Sequence, residues 1–553
     1  MAFPAVTREY EAMEFLSGGS ALVRSLVAHG VTDLFGVPGI QSDWFYNALY
    51  DEGQPLKVFT ARHEQGAAYM ALGYAASTGR LGVLSVVPGP GLLNATTALA
   101  TANAMCAPVL ALVGQIPTPM IDRGQGLLHE IVDQPSIVAP FTRWSGRAAS
   151  PNEVQQMVAE AVADIFTADR RPAYLEIPPD ILQAEADVTV VDPIEPVQPV
   201  VDSALILAAA KALAEAKNPM IVAGAGALDV GHLVQELAEL VQAPVVTHRG
   251  GRGILRDDHP LSMSFRVARG MWADVDVVVA IGSRMQMVLG EWGSDATLTQ
   301  IWVNADAGAA ARVGEADINF GARAEEVLPE LLLELEGRTM ASSGDSASMA
   351  ERTTAHLDEM ASLEPQMSYL AAIRKSLGDD GILITDLTQV GYVTRAAYAV
   401  DSPRSYLYPS YMGTLGWAFP AALGAQVANP DRPVVATCGD GGFMFTSNEL
   451  ATAVQYGINS VTVVFDDSRF GNVQLMQRDF YDGRVHATDL TNPDFVAFAK
   501  SFGAHGELVD AGPDALGARI EANADRPGPT VLVVPQGDWP SPWKLLANTN
   551  VRP

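Results

Sequence analysis

CGDGGFMFTSNELATAVQYGINSVTVVFDDSRFGN, residues 438–472, is the stretch on which the fold turns. The apolar run VVATC (434–438) leads into Gly439-Asp440-Gly441-Gly442, and NELATAVQYG (448–457) follows as a helix with Ser447 or Asn448 expected as its cap. VTVVF (461–465) is a short β-branched run that ends at Asp466-Asp467 before a glycine-containing turn. Strand, helix and strand in this order make a unit with parallel strands. Asp440 and Asp467, 27 residues apart, are thereby brought to one sheet edge, where open α/β sheets bind ligands.

Two carboxylates there, with a backbone carbonyl from the turn, suit a hard cation, Mg²⁺ or Ca²⁺, whose remaining ligands are phosphate oxygens. Gly439, Gly441 and Gly442 would let backbone N–H groups approach those phosphates. The bland alternative is a tight strand–helix turn followed by a turn-starting Asp pair.

Working outward, apolar β-branched runs alternate with Ala-rich amphipathic stretches along the whole chain, the pattern of parallel α/β sheets. DLFGV (33–37), VFTAR (58–62), GVLSVV (82–87), VLALVG (109–114) and AYLEIP (173–178) are the strands of a first block. MIVAG (220–224), PVVTH (244–248), VVVAIG (277–282) and IWVNAD (301–306) form a second. ILITD (382–386), VVATCGDG (434–441), VTVVFDD (461–467) and TVLVVP (530–535) form a third. The fold class is therefore α/β, with three consecutive parallel-sheet domains at 1–183, 203–338 and 360–553. The proline-rich span 184–202 and the small, polar span 339–359 are expected as linkers. No sequence repeat marks the blocks as duplicates.

A chain of 553 residues, 48% hydrophobic and 18% charged, is long enough for about three globular domains of roughly 100–200 residues each. With 35 Lys+Arg against 64 Asp+Glu, the net charge of −29 opposes nucleic acid and anionic membrane surfaces as partners. Cys106 and Cys438 are too few for a disulfide framework or a cysteine metal cluster. The opening MAFPAVTREYEAMEF lacks a basic segment before an apolar one, and no run approaches the length of a membrane span, so a cytoplasmic location is the expectation.

The 438–472 segment resembles the thiamin-diphosphate signature, and the chain resembles the family of acetohydroxyacid synthase, pyruvate oxidase and benzoylformate decarboxylase. That likeness implies a pyrimidine-binding, a central and a diphosphate-binding domain, with Asp440, Asp467 and the carbonyl of Arg469 holding Mg²⁺. Many relatives carry Asn where this chain has Asp467. ARHEQGAAYMALGYAASTGR (61–80) matches a second family segment, in which Glu64 would hydrogen-bond N1′ of the aminopyrimidine and promote the tautomer that deprotonates thiazolium C2. Without the family, a Glu in a first helical turn is ordinary dipole placement. Gly89 to Asn94, in GPGLLN, would lie near the active centre. In SYMGTLGWAFPAALGAQ (410–426), Gly413 would offer a carbonyl to the 4′-amino group and Leu415 would wedge the cofactor into its bent form, the plain alternative for Leu415 being core. The family also implies a homodimer or homotetramer, with Glu64 of one chain facing Asp440 of another.

The resemblance thins at specific positions. GSRMQMV (282–288) keeps Arg284 but has Val288 where the synthases carry a second arginine, and Met476 stands in place of their tryptophan. Synthesis of acetohydroxyacids is therefore not expected. LLHE replaces the synthases' FQE segment, so His129 takes an active-site glutamine's place and could protonate an intermediate or orient an acceptor, and Gly39-Ile40-Gln41 could line the same pocket. GAGALDVG (224–231) lacks the third glycine of a dinucleotide fingerprint, which argues against an NAD-dependent dehydrogenase. Arg284 and Asp306 could meet FAD, but SFRVARG (264–270) does not resemble the flavin-contacting segment, so a central domain without FAD is expected. The expected function is thiamin-diphosphate- and Mg²⁺-dependent decarboxylation of a 2-oxo acid, ending in protonation of the enamine or carboligation to a carbonyl acceptor. The alternatives are hydrolysis of a 1,2-diketone, a flavin-containing oxidase or acetolactate synthase, and a non-catalytic cofactor-binding relic.

Overall fold

A computed structural model of the chain describes residues 13–197, 199–344, 346–546 and 550–552. The opening residues weighed above for a leader, 1–12, lie outside the described residues. Contacts along the chain divide it into two compact units. One comprises residues 1–72, 80–103 and 107–197, the other residues 73–79, 104–106 and 198–553.

In the first unit, β1 (Met13–Ser17) precedes the six strands of a parallel sheet: β2 (Asp33–Gly36), β3 (Lys57–Thr60), β4 (Gly82–Val86), β5 (Val109–Gly114), β6 (Trp144–Arg147) and β7 (Ala173–Ile177). Their order across the sheet is β3-β2-β4-β5-β7-β6. All six residues of β5 and all five of β4 and of β7 are buried, which is why they read as unbroken apolar runs rather than as alternation. The span 184–202, expected as a linker, opens instead with β8 (Glu185–Thr189), which pairs antiparallel with β1. The pairing of Met13 with Thr189 through Ser17 with Glu185 closes the unit on itself, and local composition could not disclose that long-range partner.

The second unit holds two more parallel sheets. β9 (Pro219–Ala223), β10 (Val245–Thr247), β11 (Ser262–Met263), β12 (Val277–Ile281), β13 (Thr299–Val303) and β14 (Ile318–Phe320) lie in the order β11-β10-β9-β12-β13-β14. β15 (Ile382–Thr385), β16 (Tyr406–Leu407), β17 (Val434–Gly439), β18 (Val461–Asp466), β19 (His505–Leu508) and β20 (Thr530–Pro535) lie in the order β16-β15-β17-β18-β20-β19. Numbered within each sheet, the first and last sheets share the winding 2-1-3-4-6-5, whereas the middle sheet is 3-2-1-4-5-6. The likeness of the outer sheets is thus one of topology without a legible sequence repeat.

Residues 340–354, expected as linker, lead into the helix Ser346–Met360 instead. Its Ala, Met, Glu and Arg residues favour helix, and Met349, His356 and Met360 are buried at spacings of one helical face. Beyond β20 the chain returns to the middle sheet, where Arg552 is 5% exposed. Its guanidinium donates to the carbonyls of Trp272, at 3.0 Å, Ala273, at 3.1 Å, and Val275. It also meets Asp295 Oδ1 at 2.9 Å and Thr297 Oγ1 at 3.0 Å.

Asp386 ends the run begun by β15 and is 2% exposed. Its Oδ1 accepts the Ala418 N–H at 3.2 Å, its side chain shares a hydrogen bond with the Cys438 thiol, and its Oδ2 has no hydrogen-bond partner. Burial pushes this carboxyl up to about 7.

Two outcomes follow from these buried groups. Arg552→Met should lower the thermal unfolding midpoint more than Asp295→Asn does, because three backbone carbonyls lose their donor together. For Asp386, a folded carboxyl titrating above its unfolded counterpart favours the folded state at low pH and loses that advantage as pH rises from about 4 to about 7. Denaturant titrations at about pH 5 and about pH 8 should therefore show Asp386→Asn gaining stability relative to the parent at the higher pH; an equal difference at both would contradict the buried acid.

Candidate active site

An open parallel sheet leaves a crevice where neighbouring strands connect in opposite directions, at the carboxyl ends of the strands. In the first sheet that point lies between β2 and β4. The turns that follow β2, β3, β4 and β5 carry Gln41, Glu64, Gly89 and His129 respectively.

Glu64 is the first residue of the helix Glu64–Thr78 and is half-buried. Its Oε2 accepts a hydrogen bond from Asn94 Nδ2 at 3.0 Å. A side chain at Gly91 would place Cβ 2.7 Å from Val87 Cγ2 and 3.6 Å from Glu64 Oε1, so the absence of one keeps the carboxylate approachable. Gly89 has φ +60°, and a Cβ there would fall 2.4 Å from the His129 carbonyl, so this turn requires glycine. Its N–H donates to Gln134 Oε1 at 2.9 Å.

Gln134 belongs to a polar network that motif reading missed. It is fully buried, and its Nε2 approaches the Gly114 carbonyl at 3.3 Å, the Tyr174 hydroxyl at 2.8 Å and Glu176 Oε2 at 3.0 Å. Glu176, also fully buried, accepts from Gln115 Nε2 at 3.0 Å, from Tyr174 and from Arg147. Burial, followed by the Glu176 charge, pushes the Tyr174 hydroxyl far above its ordinary range. The network fastens the loop after β5, which presents His129, to the sheet beneath. A glutamate inside the strand AYLEI was the available signal, since a buried carboxylate demands partners. His129 has φ +68°, and its Nδ1 lies 2.9 Å from Gln41 Oε1. Gln41 is buried and Ile40 is 64% exposed, so of the Gly39–Gln41 turn it is Gln41 that reaches the histidine.

In the last sheet the corresponding crevice lies between β15 and β17. Asp440 opens the short helix Asp440–Met444 and is 2% exposed; burial raises its carboxyl, and the Asp466 charge adds to this. Asp467 is pushed up to about 7 by burial and by Asp440, against the Arg469 charge. The sheet thus brings the two aspartates together, as their spacing requires. Asn492 Nδ2 bridges Asp440 Oδ2 at 2.6 Å and Asp466 Oδ1 at 2.8 Å, and Gln536 Nε2 reaches Asp467 Oδ2 at 3.3 Å. Asn492 and Gln536 come from distant loops and carry no motif. The backbone amide of Arg469 hydrogen-bonds to both aspartates, while its guanidinium meets Asp538 at 3.2 Å and Gln474 at 3.0 Å.

The helix after the glycine turn departs from expectation. Ser447–Glu449 is a 3₁₀ turn and the helix proper is Leu450–Tyr456, with neither Ser447 nor Asn448 capping it through its side chain. Packing explains part of the glycine run: a Cβ on Gly441 would fall 2.7 Å from the Phe470 ring, and one on Gly442 3.0 Å from Asp386 Oδ2. Gly439 is extended, with φ −81°, and precedes Asp440 as its cap position. Gly413 has φ +56°, and a Cβ there would lie 3.1 Å from Leu387. Leu415 is 37% exposed, which removes the core alternative for it. The neighbouring Gly416 is held through its carbonyl, which accepts from Thr446 Oγ1 at 2.8 Å.

The donor set fits a hard divalent ion. The buried Asp440 and the half-buried Asp467 both titrate above the ordinary carboxyl range and repel each other, a repulsion that such a cation would relieve. Among the described residues no group of three His, Cys, Asp or Glu side chains could hold a metal, so the ion's other ligands would be backbone and phosphate oxygens. In the middle sheet, Asp306 pairs with Arg312 at 2.5 Å and Arg284 lies over the Tyr411 ring at 5.1 Å. Among the described residues no helix is long and apolar enough to cross a membrane.

Comparison with known proteins places these features. Residues 16–137 match the N-terminal TPP binding domain of thiamine pyrophosphate enzymes, 206–331 their central domain and 386–534 their C-terminal TPP binding domain. The chain is 34% identical over 505 residues to a Pseudomonas aeruginosa protein named as a probable 2-ketoarginine decarboxylase, covering 88% of each. It is 32% identical to a probable acetolactate synthase large subunit of Methanocaldococcus jannaschii, covering 92% of this chain and 89% of the relative. With the sulfoacetaldehyde acetyltransferase of Castellaniella defragrans it shares 30% identity over 95% of this chain and 94% of the relative. Three parallel α/β sheets in this order, with domain matches along the chain and relatives at this identity over most of their length, make the chain a thiamine-pyrophosphate-dependent enzyme of the acetohydroxyacid synthase and pyruvate oxidase family.

Proposed function

We propose that the enzyme decarboxylates a 2-oxo acid, using thiamin diphosphate held by Mg²⁺, and that it releases the product by protonation rather than by joining it to a second keto acid. The observation that carries this reading is the pair of prepared strand-end sites: Glu64 with Asn94 after β3, and Asp440 with Asp467 after β17 and β18. Asp440, Asp467 and the Arg469 carbonyl would hold Mg²⁺, and Gly439, Gly441 and Gly442 would admit the diphosphate. Gly413 would accept the 4′-amino group on its carbonyl, and the half-exposed Leu415 would support the thiazolium.

When bound, the cofactor supplies a carbon nucleophile for the keto carbon and a sink for the electrons left as CO₂ departs. Glu64 would share a proton with the aminopyrimidine of the bound cofactor, and Asn94 restrains one of its oxygens, so that the carboxyl keeps one orientation. His129, on the loop fastened by Gln134, would hand a proton to the former keto carbon. Val288 and Met476, at positions where the synthases bind a second keto acid, favour protonation over carboligation. Assembly as a homodimer or homotetramer and a cytoplasmic location belong to the same proposal. FAD is not part of it.

Incubating the Mg²⁺- and thiamin-diphosphate-loaded enzyme with a panel of 2-oxo acids should yield CO₂ and the matching aldehyde in equal amounts. Cleavage of a 1,2-diketone without CO₂ would replace the proposal with the hydrolase reading. Glu64→Gln should lower kcat by about 10²–10⁴-fold while retaining cofactor in equilibrium dialysis, and a variant turning over normally would overturn Glu64's role. Dialysis against a chelator should strip both metal and cofactor, with Mg²⁺ or Ca²⁺ restoring cofactor binding; Asp440→Ala should bind neither.

A further inference from the structure

We infer that Gln41 is a positioning residue that fixes the tautomer of His129, so that Nε2 is the one ring atom through which this histidine exchanges a proton with the substrate. The inference rests on the proton-transfer role proposed for His129 and adds the group that sets it.

A carboxamide has two unlike ends. Gln41 Nε2 donates to the Leu128 carbonyl at 3.0 Å, and Gln41 Oε1 lies 2.9 Å from His129 Nδ1. Turning the amide over would set two acceptors, Gln41 Oε1 and the Leu128 carbonyl, against each other, so the Leu128 bond determines which end faces the ring. An amide oxygen only accepts, so Nδ1 must carry the hydrogen. In the neutral ring, Nε2 then keeps its lone pair.

Both partners are restrained before the bond forms. Gln41 is 6% exposed and sits in a closed turn, in which the Ser42 N–H and Oγ donate to the Gly39 carbonyl at 2.8 and 2.9 Å. Gly114, at the end of β5, makes room for it: a Cβ there would lie 3.2 Å from Gln41 Cβ. The His129 backbone adopts φ +68° against Gly89, where any side chain would strike its carbonyl. The acid next in sequence, Glu130, is otherwise engaged, accepting the backbone N–H groups of Leu127 at 2.8 Å and Gln125 at 3.3 Å. Gln41 is therefore the orienting partner.

The step balances. The pair left behind when the bond to CO₂ breaks takes the Nε2 hydrogen of the protonated ring; a C–H bond forms at the former keto carbon, the N–H bond breaks, and the N–H pair stays on Nε2. The ring that remains is the Nδ1–H tautomer that Gln41 already holds, and the half-exposed histidine regains its proton from solvent.

The test uses the full chain with ¹⁵N-labelled histidine, with and without thiamin diphosphate and Mg²⁺, the His129 signals being identified by their loss in His129→Asn. With the ring neutral, the wild type should show Nδ1 protonated and Nε2 bare. Gln41→Met, which keeps the length but offers no carbonyl, should shift the population towards Nε2–H and lower kcat at least about tenfold, with KM changing less than about twofold. Gln41→Glu, which restores an acceptor opposite Nδ1, should recover the tautomer and most of kcat, and it supplies the comparison should Gln41→Met not fold. An Nε2–H ring in the wild type, or an unchanged tautomer in Gln41→Met, would overturn the inference even if His129→Asn is inactive. If the tautomer follows Gln41 but both Gln41→Met and His129→Asn turn over like the wild type, proton delivery by His129 is what fails.

Discussion

Asp440, buried, and Asp467, half-buried, are driven together by the sheet, and much of the third domain's edge is organised around that repulsion. Each carboxyl alone would be an ordinary strand-end residue. Side by side they resist ionisation, and the protein answers with neutral donors, the Asn492 amide on Asp440 and the Gln536 amide on Asp467, and with a single cation, the Arg469 guanidinium 3.6 Å from Asp467 Oδ2. The amides orient the carboxylates without neutralising them, and one arginine against two carboxyls leaves charge for a divalent cation to balance. The glycines serve the same end, since Phe470 and the Asp467 carboxylate occupy the space that side chains at Gly441 and Gly471 would need.

The first domain solves a different problem. Glu64 opens a helix and His129 stands on a turn, the least rigid part of an α/β unit, and turns hold still only when their polar groups are satisfied from below. Gln134, Tyr174, Glu176, Gln115 and Arg147 do so for the loop after β5. Asn94 does so for Glu64. A fully buried carboxylate is expensive to keep, and here it anchors the loop that carries His129.

Most of the architecture was legible in the sequence because parallel strands are buried on both faces and announce themselves as unbroken Val/Ile/Leu runs, as in VLALVG and VVVAI. What escaped was settled by distant partners. β8 is a strand because β1 lies beside it, and Ser346–Met360 is a helix because Met349, His356 and Met360 find a surface to cover. The site divides in the same way. Asp440 and Asp467 stand at fixed offsets from strand ends and could be read directly. Asn492, Gln536 and the Gln134–Glu176 network contribute through side chains that converge from separate loops, and spacing along the chain says nothing about convergence. Gln41 lies between these cases: its turn was noticed, but its pairing with His129 needed three dimensions.

The shared winding of the outer sheets has a consequence of its own. In both, glycines that a Cβ would crowd stand after the third strand, Gly89 in one and Gly441 and Gly442 in the other, and the turn after the first strand carries an amide or acid, Gln41 or Asp386. Matching slots in the two sheets thus hold different groups, a glutamine–histidine pair at one and a pair of carboxyls at the other.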